Sequence, residues 1–373
     1  MTSNQSLSIT QIEIYKLSIP LKEPFIISLG PIHNAENIIV VIRTNTGISG
    51  FGECSPFMTI NGESQDTCFI VGQLLATSLK GENPLDIESN VQMMDKIIYG
   101  NSSIKSAFDI AMHDIASQNA GMPLYQFLGG QKNKTLVTDY TISIGTPEKM
   151  AFDALKIKNA GYPVIKVKLG EGEKIDVARI KAIRKAIGKK LSLRIDANQG
   201  WDVKTAIKTL RSLNKYNIQY CEEPVPRWDF MELRKVKKKS PIPLMADESC
   251  CDEHDAKRLI KLKSCDMFNL KLGKSSGIYK AQKIIALAEK ENMTMQVGGF
   301  MESKITMTAN AHLALSSKNI LHCDFDTPLM FASDPVSGGI VYAENGVIEV
   351  PEMPGLGAWI DIAGLEKLQK VVI

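Results

Sequence analysis

Charged residues close a series of β-like segments every 24 to 28 residues through the middle of this chain, and that cadence restricts the fold more than any other feature. Lys166 and Lys168 close Val164-Ile-Lys-Val-Lys-Leu, and Asp196 closes Leu191-Ser-Leu-Arg-Ile-Asp. Glu222 closes Ile218-Gln-Tyr-Cys-Glu, Asp247 closes Ile242-Pro-Leu-Met-Ala-Asp, and Lys271 closes Met267-Phe-Asn-Leu-Lys. One strand, one helix and two short loops consume about 25 residues, so the pattern reads as repeated βα units. In a barrel of such units every strand ends in one common mouth. Three acids and three lysines are therefore expected to converge there.

The remainder of the 373 residues suits a second, smaller domain. The expected fold is α/β: a modified (β/α)8 TIM-like barrel with an N-terminal α+β capping domain. Residues 1–130 are assigned to the cap, 131–327 to the barrel, and 328–373 to a segment that returns to the cap. In the cap, residues 8–19 and 36–53 read as strands. A loop from Pro24 to Asn37, centred on Gly30-Pro31, separates them, and a second loop runs from Ser55 to Asp66. Residues 67–128 have a helical pattern that stops at Gly129-Gly130. The barrel begins near Val137, with Thr138-Asp-Tyr-Thr-Ile-Ser as its first strand. Met293-Thr-Met-Gln-Val-Gly and Ile320-Leu-His-Cys-Asp are its last two. Helices are predicted over 178–186, 203–213 and 277–289.

Composition excludes several function classes. With 44 basic and 41 acidic residues the net charge is +3, too even for a nucleic-acid or membrane-binding surface. The basic run Arg234-Lys-Val-Lys-Lys-Lys239 lies between two strand candidates and reads as the solvated end of a helix. Seven cysteines, an odd number without scaffold or zinc spacing, read as free thiols in a reducing compartment. The opening Met1-Thr-Ser-Asn-Gln-Ser has no signal pattern, and no apolar stretch approaches about 18 residues. A cytoplasmic protein is expected.

Asp196, Glu222 and Asp247 are three oxygen donors on successive strand ends. Oxygen ligation without Cys or His favours Mg²⁺, with Mn²⁺ second. A single Asp at such a place is commonly a helix cap; three in register point to a metal. Lys166 and Lys168 share one strand face, and their mutual repulsion is expected to lower the pKa of at least one. Lys271 lies four strands on, across an eight-stranded ring. Two bases facing each other across a metal-bound substrate suit removal of a proton beside a carboxylate and its return on the other face, through an enediolate.

With Asp196-Ala-Asn-Gln-Gly-Trp201, Glu222-Glu-Pro224, Ala246-Asp-Glu-Ser249 and Asn269-Leu-Lys271, the chain resembles the muconate-lactonizing-enzyme subgroup of the enolase superfamily over nearly its whole length. The resemblance implies Lys168 and Lys271 as the acid/base pair, Lys166 tuning Lys168, and Glu222 rather than Glu223 as ligand. The mandelate-racemase branch would need a histidine near Val297, which is missing. Asp324-Phe-Asp326 resembles the Asp-x-Asp signature of dipeptide epimerases, which grips the substrate's α-ammonium. The implied function is Mg²⁺-dependent inversion at Cα of a dipeptide's C-terminal residue. The family also implies a homo-oligomer.

In epimerases for Ala-Glu an arginine of the first capping loop pairs with the glutamate. Here Gly30 stands about there, and neither 24–42 nor the second loop holds a Lys or Arg. Phe25, Ile26, Ile27, Phe57, Met58 and Ile60 offer apolar surface instead, so a small N-terminal and an apolar C-terminal residue are expected, as in Ala-Val. Thr141, Gly299 and the backbone amides of Phe300 and Met301 are further candidates for substrate contact. His312 reads as a helix packing residue, Glu302 follows the seventh tip as a lesser candidate for approaching the substrate, and His322 receives no role. Two alternatives stand beside this reading. One is a muconate cycloisomerase or o-succinylbenzoate synthase, whose substrates carry no ammonium for Asp324 and Asp326. The other is a non-catalytic metal-binding barrel, which would not need both lysines.

Overall fold

A computed structural model describes residues 7–373. Residues 1–6, read above for a targeting signal, lie outside the described residues. No described helix is long and apolar enough to cross a membrane.

The N-terminal unit is an antiparallel sheet of β1 (Ile9–Ile27), β2 (Gly30–Thr44) and β3 (Ser49–Cys54), with the C-terminal strand Lys370–Val372 on the outer edge of β1. The run Ile38-Ile-Val-Val-Ile42 is β-branched and buried on both faces, because Ile38, Val40 and Ile42 pack in the core of the cap helices while Ile39 and Val41 pack in the core shared with the barrel. Three helices cover the sheet: α1 (Gln65–Leu79), α2 (Ile87–Ile97) and α3 (Ser102–Asn119). Ser64 opens α1 in a capping box with Thr67. Gly50 and Gly52 let β3 lie directly on α3, since a Cβ on Gly52 would stand 1.8 Å from the Ala107 carbonyl oxygen.

Pro24 to Asn37 is not a loop. β1 and β2 continue into a hairpin arm that pairs Ile27 with Gly30 around a two-residue tip, Ser28-Leu29. The register shifts between Pro20 and Phe25, where two prolines lack the N–H that a ladder needs. Beyond this bulge the arm leaves the cap and crosses to the barrel. The Ala332 N–H donates to the Pro20 carbonyl at 2.8 Å, the Ile144 N–H donates to the Ile26 carbonyl at 2.9 Å, and Ser28 Oγ donates to the carbonyls of Ala197 and Asn198 at 3.0 and 2.8 Å.

After the short β4 (Leu136–Val137), eight parallel strands follow in sequence order. They are β5 (Tyr140–Ile142), β6 (Val164–Lys168), β7 (Ser192–Asp196), β8 (Ile218–Glu222), β9 (Leu244–Ala246), β10 (Met267–Leu270), β11 (Thr294–Val297) and β12 (Ile320–Cys323). The ring closes through a parallel bridge between Thr138 and Cys323. Helices follow the strands, among them Glu173–Ile187, Val203–Leu213 and Ile278–Lys290, over the three stretches predicted from periodicity. The basic run ends the helix Phe230–Lys239, and all seven cysteines are free.

Candidate active site

The register of the barrel sets the site. Lys168, Asp196 and Glu222 are direct partners across β6, β7 and β8, so their side chains enter the mouth at one level. One oxygen each of Asp196, Glu222 and Asp247 lies within 4.8 Å of the others, and all three residues are fully buried. Glu223 turns away, with φ of 33°, and accepts from the Asp247 N–H at 2.7 Å. Three buried carboxylates at this separation repel one another, and burial together with Asp196 raises the Glu222 carboxyl. Asp247 Oδ2 receives no hydrogen bond. An all-oxygen set of three buried carboxylates fits a hard divalent cation.

The lysines stand at the two ends of this triad. Lys168 Nζ donates to Asp196 Oδ2 at 2.7 Å, and Lys271 Nζ lies 2.8 Å from Asp247 Oδ2, out of line for a hydrogen bond. Lys166 Nζ is 2.7 Å from Asp324 Oδ2 and 2.8 Å from Glu222 Oε2. The expected lowering of a lysine pKa by repulsion is not what these surroundings give to Lys166. Burial pulls it down, but Asp324, Glu222 and Asp196 outweigh burial and hold it well above the ordinary lysine range. Lys271 is likewise held up by Asp247 and Glu222 against its burial. The carboxylates between the lysines, and not the lysines' mutual repulsion, set the balance.

The eighth strand tip brings Asp324 and Asp326 within 4.8 Å of each other and of Asp139, which the sequence reading missed. Asp139 stands two residues before Thr141 on the same inward face, and that alternation was its available signal. Among the described residues Asp324 pairs with Lys166 and Asp139 with Arg194, at 2.7 Å each, while Asp326 has no cationic partner. Asp326 Oδ2 accepts from the Thr141 N–H at 2.6 Å; burial first, then Asp324, raises its carboxyl well above the usual range. Below the acids the barrel is plugged by polar side chains. Arg194 Nη2 lies 2.9 Å from His322 Nδ1, its guanidinium covers the Tyr220 ring at 5.4 Å, and the Tyr220 hydroxyl donates to Gln296.

The cap supplies the roof. The hairpin arm sets the half-buried Phe25 ring 6.0 Å from Lys168 Nζ. Phe300, after β11, lies 4.8 Å from Lys271 Nζ and packs against Phe57 of the second cap loop at 5.6 Å. Ile60 is buried beside it, with its carbonyl bonded by Arg227, whereas Met58 points to solvent. The amides of Phe300 and Met301, expected to meet substrate, are already engaged: the first donates to Glu302 and the second to Ser55 Oγ at 3.2 Å. Glu302, pushed up to about 8 by burial and Glu53, thus holds its own loop. A Cβ on Gly299 would stand 2.3 Å from Met307 Cε and 2.6 Å from Glu302 Oε2, so a side chain there would have to displace both. His312 is a packing residue whose ring nitrogens meet Tyr125 N and Leu356 O.

Two family models match the chain: "Mandelate racemase / muconate lactonizing enzyme, N-terminal domain" over residues 9–129, and "Enolase C-terminal domain-like" over 149–363. The chain belongs to the enolase superfamily. Within that superfamily it falls in the muconate-lactonizing-enzyme subgroup. It is 59% identical over 363 residues to a D-Ala-D/L-Ala epimerase of Cytophaga hutchinsonii, covering 96% of this chain and 99% of the relative. An L-Ala-D/L-Glu epimerase of Clostridium acetobutylicum is 39% identical, over 94% of this chain and 98% of the relative. A crystal structure of a Cytophaga hutchinsonii dipeptide epimerase with Mg and D-Ala-L-Val superposes with a TM-score of 0.97 at 58% identity, covering 98% and 100% of the two chains. A superfamily barrel with amines at both ends of an acid triad can exchange a proton on either side of a bound carbon acid.

Proposed function

We propose that this chain is a dipeptide epimerase that inverts Cα of the C-terminal residue by 1,1-proton transfer, an isomerase requiring Mg²⁺. The observation that carries this reading is Asp326, a buried carboxylate whose neighbours supply no cation. Burial and Asp324 favour the protonated form of Asp326 while no cation is beside it, and a substrate ammonium is the partner that would let Asp326 and Asp324 carry their charges together. A cycloisomerase acting on dicarboxylates would be repelled there, and a passive binding barrel has no use for two roofed lysines.

Asp196, Glu222 and Asp247 would hold the cation, which when bound supplies positive charge beside the substrate carboxylate and so acidifies the adjacent Cα. Lys168 takes the proton from one face and Lys271 delivers one to the other. Lys166 holds Asp324 and Glu222 in place, and Phe25 and Phe300 exclude water from the two amines. Thr141 aims Asp326 through its N–H.

Apolar side chains of the cap, Phe25, Ile60 and Phe57, face the substrate's C-terminal residue. Arg227, which reaches the second cap loop, is engaged by the Ile60 carbonyl. A small N-terminal and an apolar C-terminal residue follow, and the names of the Cytophaga hutchinsonii proteins point the same way. The chain is taken to divide at residues 130 and 327, and to act in the cytoplasm as a homo-oligomer without nucleic-acid or membrane partners. The test is deuterium uptake at Cα of L,L-dipeptides in D₂O with Mg²⁺, followed by NMR. Ala-Val is expected to exceed Ala-Glu in kcat/KM by at least about tenfold. A preference for Ala-Glu overturns the specificity, and exchange in no dipeptide overturns the activity.

A further inference from the structure

Lys274 is a fully buried lysine to which the proposed reaction gives no part. It lies on the short turn Leu272–Ser275 that follows Lys271, three residues on. Its ammonium is surrounded by oxygen: Asp247 Oδ1 at 2.5 Å, the Asn269 carbonyl at 3.0 Å, the Cys250 carbonyl at 3.2 Å, and the Asp247 carbonyl. Asp247 is thus held between two lysines of one turn. Lys274 takes Oδ1 in a hydrogen bond, while Lys271 lies near Oδ2 without bonding it. An ammonium has three protons, and here all of them are directed at the Asp247–Cys250 loop and the end of β10. Oδ2, with only the Lys271 ammonium beside it, is the oxygen left for the triad.

We infer that Lys274 is a positioning residue for the cation site: it fixes Asp247 by Oδ1 so that Oδ2 alone is presented to the metal. This rests on the reading of the acid triad as a divalent-cation site. The sign of the effect separates positioning from plain electrostatics. A positive charge beside a metal ligand opposes cation binding, so its removal should tighten the metal if charge were all that mattered. If Lys274 acts by orientation, its removal weakens the metal, as loss of an outer-shell partner does elsewhere by about 10- to 100-fold.

The experiment is Mn²⁺ titration of the full chain by calorimetry or EPR, without substrate. Wild-type protein that binds no Mn²⁺ overturns the cation reading itself and is thereby distinguished from failure of this inference. Given binding, Lys274→Met and the milder Lys274→Gln are expected to weaken it about tenfold or more. Lys271→Met, which removes the other lysine from the same carboxylate, is expected to leave it unchanged or tighter. Lys274 variants that fold and bind Mn²⁺ as tightly as wild type overturn the inference. Should neither variant fold, a crystal structure of wild-type protein with Mn²⁺ decides. Ligation by Asp247 Oδ2 alone, with Oδ1 kept on Lys274, upholds it; bidentate ligation or ligation through Oδ1 overturns it.

Discussion

Lys168 and Lys271 differ in what surrounds them although they share one task. Lys168 bonds Asp196 under the Phe25 ring of the cap, and Lys271 faces Asp247 under the barrel's own Phe300. Since β6 and β10 are four places apart in an eight-stranded ring, the two amines approach a substrate from opposite faces. Each should then serve one configuration at Cα. Lys168→Ala is expected to abolish solvent exchange for one epimer and to leave exchange of the other measurable, with Lys271→Ala showing the reverse. Epimerisation itself should fall in both by at least about 10³-fold, in the range for loss of a general acid or base. Both epimers exchanging in either variant would remove the two-base assignment.

At the scale of elements, the packing of β3 on α3 depends on glycine. A Cβ on Gly52 would strike the backbone of Ala107, which cannot rotate aside as a side chain can. Gly52→Ala is expected to cost at least about 3 kcal/mol in urea unfolding, at the upper end for overpacking. Gly47→Ala, where φ is +85° and nothing lies within 4 Å, should cost only about 1 kcal/mol of backbone strain. Equal losses would mean that β3 and α3 can part without penalty. The same elements show where sequence reading succeeds. The barrel strands and the helix Val203–Leu213 were legible because their periodicity is local, and the acid triad because each acid ends its own apolar run. The hairpin arm was not, because its pairing beyond Pro20 is fixed by distant partners, Ser143, Ala197 and Asn198. The engagement of the Met301 amide was hidden for the same reason, since the fold sets Ser55 beside it, and the local turn that brings Glu302 back onto the Phe300 amide has no periodic signal. Lys274 carries no periodic signal at all.

On the scale of the whole molecule the site exists only while the cap is held on the barrel, and one joint of that contact is titratable. Asp109 of α3 accepts from the Ile278 and Tyr279 N–H groups and so caps the barrel helix Ile278–Lys290. His113, one turn along α3, lies with Nδ1 3.2 Å from Asp109 Oδ2 and 2.8 Å from the Asp109 carbonyl. Burial disfavours the imidazolium, but Asp109 outweighs burial and holds the His113 pKa above its ordinary value. A raised folded-state value means that the charged pair stabilises the joint fully below the unfolded histidine pKa, about 6.5, and ceases to do so as pH rises through the folded value. The difference in Tm between wild type and His113→Gln should therefore be largest below about pH 6.5 and shrink as the pH is raised above it. Asp114, pushed up to about 6 by burial, titrates in both proteins and drops out of the comparison. A Tm difference that does not change with pH would show that His113 keeps one charge state throughout and that this joint is not titratable.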